Sequence, residues 1–111
     1  MIALPELEGT RVLVAGLARS GKAAAEALVE IGAVVVGHGR DEALDAGRLR
    51  QLGVEVHLGA EEETLLKGTD LVVKSPGVPG ETALVVGARK RRIPVWSEIE
   101  LGGRLLSTPI L

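Results

Sequence analysis

Apolar residues in this chain come in short unbroken runs, and between the runs they recur every three or four positions. Val12-Leu13-Val14-Ala15 is the first run and reads as a buried strand. The tight turn Gly16-Leu17-Ala18-Arg19-Ser20-Gly21 follows it. Ala23, Ala24, Ala27, Leu28 and Ile31 then recur at helical spacing, so the unit is strand, turn, helix. Ala33 to Val36 is a second strand, ended by Gly37-His38-Gly39. Ala43 to Leu52 predicts a helix on Leu44, Leu49 and Leu52, stopped by Gly53. A third strand over Val54 to Leu58 precedes a short helix, Glu61 to Leu66, whose acids suit its first turn. Leu71-Val72-Val73 is the fourth strand, and Ser75-Pro76-Gly77-Val78-Pro79-Gly80 a stiff loop behind it. Thr82 to Arg91 predicts a helix, Pro94 to Trp96 a fifth strand, and Glu98 to Leu105 a closing helix with Ser97 as N-cap. Leu4 and Leu7, in the lead-in, are expected to cover one sheet edge.

Continuously apolar strands alternating with helices imply a parallel sheet covered on both faces. The predicted fold is α/β: a Rossmann-like, doubly wound, five-stranded parallel sheet with right-handed crossovers. Residues 1–111 form one domain. In such a sheet ligands sit beyond the carboxyl ends of the strands, where the winding reverses. Three loops reach that edge. In the first, Gly16 and Gly21 let a phosphate approach the backbone at the start of a helix, where amides lack intrahelical partners. Ala18 holds the middle place of an imperfect G-x-G-x-x-G, Arg19 can add charge, and Ser20 can cap the helix or donate to a phosphate. A plain strand-to-helix turn without a ligand is the alternative. In the second loop Gly39 stands where dinucleotide folds place a ribose-gripping acid; Arg40 follows, and Asp41 comes two positions late. In the third, Ser75 and the Gly77 amide, held by Pro76 and its neighbours, can meet a second phosphate or a sugar.

Composition narrows the function classes. Trp96 is the only aromatic residue, so the core is aliphatic. Cysteine is absent, which excludes disulfides and thiolate metal sites and fits a cytoplasmic protein. His38 and His57 have no ligand-like spacing, so no metal is expected. A net charge of −2 argues against nucleic acid as partner, and the run Arg89-Lys90-Arg91-Arg92 suits a helix end. No apolar run approaches membrane-spanning length, and the chain is expected to be a monomer. No catalytic constellation is visible, and Glu98 and Glu100 read as capping acids.

V-L-V-A-G-L-A-R-S-G at 12–21, T-D-L-V-V-K-S-P-G-V-P at 69–79 and I-P-V-W-S-E-I-E-L at 93–101 together resemble the amino-terminal domain of the D-glutamate-adding Mur ligases of peptidoglycan synthesis. The resemblance implies a domain that binds the UDP portion of UDP-MurNAc-L-Ala and does not itself catalyse. It implies a parent enzyme in which ATP and magnesium act on a central domain, D-glutamate on a third, and an acyl phosphate is attacked by an amine. No cofactor is then expected within residues 1–111, where the phosphate loop for ATP is missing. The family's diphosphate contacts match Arg19 and Ser20, and its uracil and ribose loop matches Ser75, Pro76 and Gly77. A uracil-binding acid of the family aligns with Gly39, so either Asp41 takes its place or backbone alone holds the base. Two other classes remain open on the residues alone. One is an NAD(P)-binding Rossmann domain of an oxidoreductase or regulatory protein, with Arg40 meeting a 2′-phosphate. The other is an interaction domain without a nucleotide.

Overall fold

A computed structural model describes residues 7–75 and 82–106, with the side chains of Leu105 and Leu106 excepted. The strands are β1 (Arg11–Ala15), β2 (Val34–Gly39), β3 (Glu55–Leu58), β4 (Leu71–Lys74) and β5 (Val95–Ser97). The helices are α1 (Arg19–Ile31), α2 (Gly47–Gln51), α3 (Ala83–Lys90) and α4 (Glu98–Leu106), with a 3-10 turn at Glu63–Leu66. All strands pair in parallel, in the order β3-β2-β1-β4-β5. The chain lays down β1, β2 and β3 toward one edge, then returns to β1's other side for β4 and β5. The winding therefore reverses between β1 and β4, in a doubly wound parallel sheet as predicted.

Alternate residues of each strand face opposite layers. Val12, Val14, Leu71 and Val73 pack with Ala25 and Leu28 of α1, Leu49 of α2 and Leu101 of α4. Leu13, Ala15, Val36 and Val72 pack on the other side with Leu65, Leu66, Leu84 and Ala88. Helices thus cover both faces, and both cores are aliphatic. Trp96 closes the first core, and the Arg104 guanidinium lies 4.2 Å above its ring. Leu7, expected at a sheet edge, is instead fully buried in this core with Val12 and Val14 of the central strand, and Leu4 lies outside the described residues.

Several boundaries differ from the sequence reading, each for a local reason. The buried stripe of α1 is Gly21, Ala24, Ala25 and Leu28; Ala23 is exposed. Small residues on both sides of the true stripe hid its phase. Strand β2 runs on through Gly37, His38 and Gly39, where the glycines were expected to end it. They stay in the sheet because both neighbouring strands pair with them, Gly37 with Val14 and Val56 and His38 with Ala15 and His57. Leu17 fills the space a side chain would take: a Cβ at Gly37 would stand 3.0 Å from both Leu17 methyls. Helix α2 is only Gly47–Gln51, not Ala43 to Leu52. Asp41 and Asp45 each accept the amide two residues on, from Ala43 and Gly47, and these Asx turns compete with the helix. The helix expected over Glu61 to Leu66 is a single 3-10 turn.

The cap of α4 is as predicted, and reciprocal. The Glu100 amide donates to Ser97 Oγ at 3.0 Å, and the Ser97 amide donates to Glu100 Oε1 at 3.2 Å. Ser97→Ala is expected to lower stability by about 1 kcal/mol in urea unfolding. An unchanged midpoint would show that α4's packing holds that end without its cap.

Candidate functional site

The register of the sheet assembles the site. Ala15 pairs with His38 on one side and Lys74 on the other, so three chain exits leave β1, β2 and β4 at one edge. The Gly16 amide donates to the His38 carbonyl at 2.8 Å, and the Ser75 amide to the Ala15 carbonyl at 2.9 Å. Gly16, Gly39 and Ser75 therefore come together as expected. Pro76 and Gly77 lie outside the described residues.

The turn from β1 to α1 is built on backbone contact. Gly16 has φ +97°, the left-handed region that glycine enters without strain. Gly21 meets it across the turn: a Cβ there would stand 1.9 Å from the Gly16 carbonyl oxygen. Both glycines of the motif are thus required by the fold itself. Ala18 occupies the N-cap, and no side chain caps α1. Ser20 is the second residue of the helix, not its cap. The first helical hydrogen bond runs from Lys22 to Ala18, so the amides of Arg19, Ser20 and Gly21 precede the ladder. Ala18, Arg19 and Ser20 are exposed and Gly21 is buried. That is a helix start on which an anion can settle.

Beside this turn stands a cleft of about 740 Å³, at the exits of β2 and β3 and the start of α3. Arg40, Asp41, Glu42, Gly59, Glu61 and Ala83 line it. The structure thus brings Arg40 and Asp41 together in one hollow, with residues 16–21 outside its lining. Gly39 is buried as the last residue of β2, and its carbonyl accepts the Gly59 amide at 2.8 Å. The His38 ring reaches across from β2, with Nε2 at 3.0 and 3.2 Å from the Gly59 and Ala60 carbonyls. Two acceptors at that nitrogen require it to carry the hydrogen. Ser75 is buried at the head of the third loop.

Two acids at this edge carry more than their sequence neighbours suggest. Glu61 was expected to serve its own short helix; instead it faces α3. Its Oε1 accepts the Leu84 amide at 2.9 Å, and its Oε2 accepts from Arg40 Nη2 at 2.8 Å and Nε at 3.2 Å. Burial opposes its charge, but the Leu84 amide, the Arg40 guanidinium and nearby His38 outweigh burial and hold its carboxyl below the ordinary glutamate value. By spacing alone Glu98 is a capping acid beside Glu100. Glu100 caps, whereas Glu98 turns toward α1: its Oε1 is buried, without a hydrogen-bond partner among the described residues, 3.5 Å from where a Cβ at Gly21 would stand. Both acids come just past a strand at the carboxyl edge, Glu98 immediately after β5 and Glu61 three residues beyond the end of β3. Scanning the exits of β3 and β5 as well as β1, β2 and β4 finds them in the sequence.

A doubly wound parallel sheet with a glycine turn at the reversal of winding belongs to the Rossmann-like class. The family described as "Mur ligase MurD-like, N-terminal domain" matches residues 10–97. The UDP-N-acetylmuramoylalanine--D-glutamate ligase of Anaeromyxobacter dehalogenans is 47% identical over 108 residues, covering 95% of this chain and 23% of that protein. The enzyme of the same name from Exiguobacterium sibiricum is 45% identical over 106 residues, covering 94% and 24%. This chain belongs to the MurD-like amino-terminal domain family of the Mur ligases. It spans about a quarter of the length of these relatives. Among solved structures, UDP-N-acetylmuramate-alanine ligase MurC from Thermotoga maritima superposes with a TM-score of 0.77 at 24% identity, over 86% of this chain and 22% of that one. The dipicolinate synthase A chain from Bacillus subtilis gives 0.64 at 19% identity, over 82% and 38%. At these identities the two structures speak for the fold alone.

Proposed function

We propose that this domain binds the UDP portion of UDP-MurNAc-L-Ala within an ATP-dependent ligase that adds D-glutamate in peptidoglycan synthesis. The observation that carries this reading is the pairing, on one sheet edge, of an uncapped helix start with a neighbouring polar cleft. The amides of Arg19, Ser20 and Gly21, with Gly16 and Ala18 leaving the approach open, suit the diphosphate. Arg40 and Asp41, with Gly39 ending β2 before them, suit the uracil and ribose; Ser75, at the head of the loop that continues in sequence to Pro76 and Gly77, is assigned to the same end of the ligand. Gly39 is buried within β2, whereas Asp41 is exposed and lines the cleft, so Asp41 is the better candidate for the base.

The domain binds and positions; the chemistry belongs to other parts of the ligase. Among the described residues no group of three His, Asp or Glu side chains stands close enough to hold a metal. On the family resemblance, ATP, magnesium and D-glutamate act through the remainder of the enzyme. Among the described residues no helix is long and apolar enough to cross a membrane.

Amide chemical-shift titrations with UDP-MurNAc-L-Ala and with NADPH test the reading. The UDP ligand is expected to shift residues 16–21 together with Arg40 and Asp41, and NADPH to leave Arg40 and Asp41 unmoved. The reverse pattern would replace the ligase reading of this edge with the dehydrogenase-like one.

A further inference from the structure

Arg40 is the cation that a 2′-phosphorylated nucleotide would need in the loop after β2. Its setting argues against that use. Glu61 is anchored: its side chain is only 9% exposed, and the Leu84 amide at the start of α3 fixes one carboxylate oxygen. The other oxygen takes both Nε and Nη2 of Arg40, whose own side chain is 65% exposed. The exposed partner has come to the anchored one. Asp41 and Glu42 line the same cleft, so one paired cation faces three carboxylates. Asp41 Oδ1 accepts the Ala43 amide, which keeps that carboxylate in place.

We propose that Glu61 is the specificity determinant of the cleft: by holding Arg40 it denies the guanidinium to a phosphate monoester and leaves the cleft to an uncharged base or sugar edge. This rests on reading the cleft as the nucleoside end of the site. A phosphate that took Arg40 would leave the Glu61 carboxylate buried without its counter-charge. It would also enter against Asp41 and Glu42 at short range. An uncharged ring meets neither cost, and it can use the acceptors and donors that line the walls. Specificity here comes from a built-in penalty as much as from attraction.

The test follows the Arg40 Nε–H resonance during titration with inorganic phosphate, and compares adenosine 2′,5′-bisphosphate with adenosine 5′-phosphate. In the unaltered protein phosphate is expected to leave that resonance in place, and the 2′-phosphate to bring no gain in affinity. Glu61→Gln keeps an oxygen for the Leu84 amide but removes the charge. It should give a saturable phosphate shift at Arg40 and raise the preference for the 2′-phosphate roughly tenfold or more. The added substitution Arg40→Gln should abolish that gain. A phosphate-responsive Arg40 in the unaltered protein overturns the proposal without any variant having to fold. So does a Glu61→Gln protein that folds and shows no gained preference. UDP is titrated alongside. A cleft silent to UDP beside a phosphate-silent Arg40 overturns the nucleoside reading and leaves the pairing intact. A cleft that answers both UDP and phosphate does the opposite.

Discussion

Gly21→Ala is expected to cost about 3 kcal/mol or more of folding stability, the upper end of what over-packing does. The added methyl carbon would stand 1.9 Å from the Gly16 carbonyl oxygen and 2.9 Å from its carbon. Both are backbone atoms, so no side chain can turn aside. Gly16 cannot retreat, because its amide is bonded to the His38 carbonyl in the sheet. Helix α1 cannot retreat either without lifting Ala24, Ala25 and Leu28 from the core. Gly103→Ala is the matched control. It adds the same methyl in α4 at a glycine with open space around the Cβ position, and it should be neutral or stabilise by up to about 1 kcal/mol. Urea unfolding of both variants at unchanged slope measures the difference. A Gly21→Ala protein within about 1 kcal/mol of the parent would show that the β1–α1 turn is softer than its contacts imply.

The same glycine contact shows why the fold was legible and why the site was only partly so. A parallel strand buried on both faces is an unbroken apolar run, so β1, β4 and their neighbours announce themselves. The order β3-β2-β1-β4-β5 is set by how the strands pair and is not written in any one run. Local competition is harder to read. Ala43 to Leu52 has helical spacing of leucines, yet Asp41 and Asp45 bind their own backbone and leave a helix of only five residues. Gly37 and Gly39 look like a strand end, and only their pairing with the strands on either side keeps them in β2. The site has the same division. Gly16 and Gly21 carry a backbone pattern that survives in sequence. Glu61 acts on Arg40 and on Leu84, 21 and 23 residues away, and no local pattern encodes a partner at that distance. Glu100 and Glu98 make the point within one turn: the capping acid is recognisable by its spacing from Ser97, and the acid that crosses to α1 is not.

Removing the Glu61 charge is expected to destabilise the protein by about 1–3 kcal/mol at neutral pH, the range for charged hydrogen bonds lost from a buried group. The loss should fade in acid. Glu61 titrates below its ordinary value in the folded state, because the Leu84 amide, Arg40 and His38 together overcome the opposing effect of burial. Its unfolded counterpart binds a proton near pH 4.3, the ordinary glutamate value. Between those two points the unfolded chain holds the proton and the folded chain does not, so acidification favours unfolding. The contribution is therefore complete above the unfolded value and lost as pH falls through the folded one. Glu55 is also held low, chiefly by the His57 hydrogen bond, but it is exposed and both proteins retain it, so it cancels in the comparison. Unfolding free energies of the parent and of Glu61→Gln, taken from pH 7 down to about pH 3, should converge toward the acid end. Parallel curves would mean that the carboxylate contributes its shape and its Leu84 hydrogen bond but not its charge. In that case Arg40 would be held without an electrostatic stake in the fold.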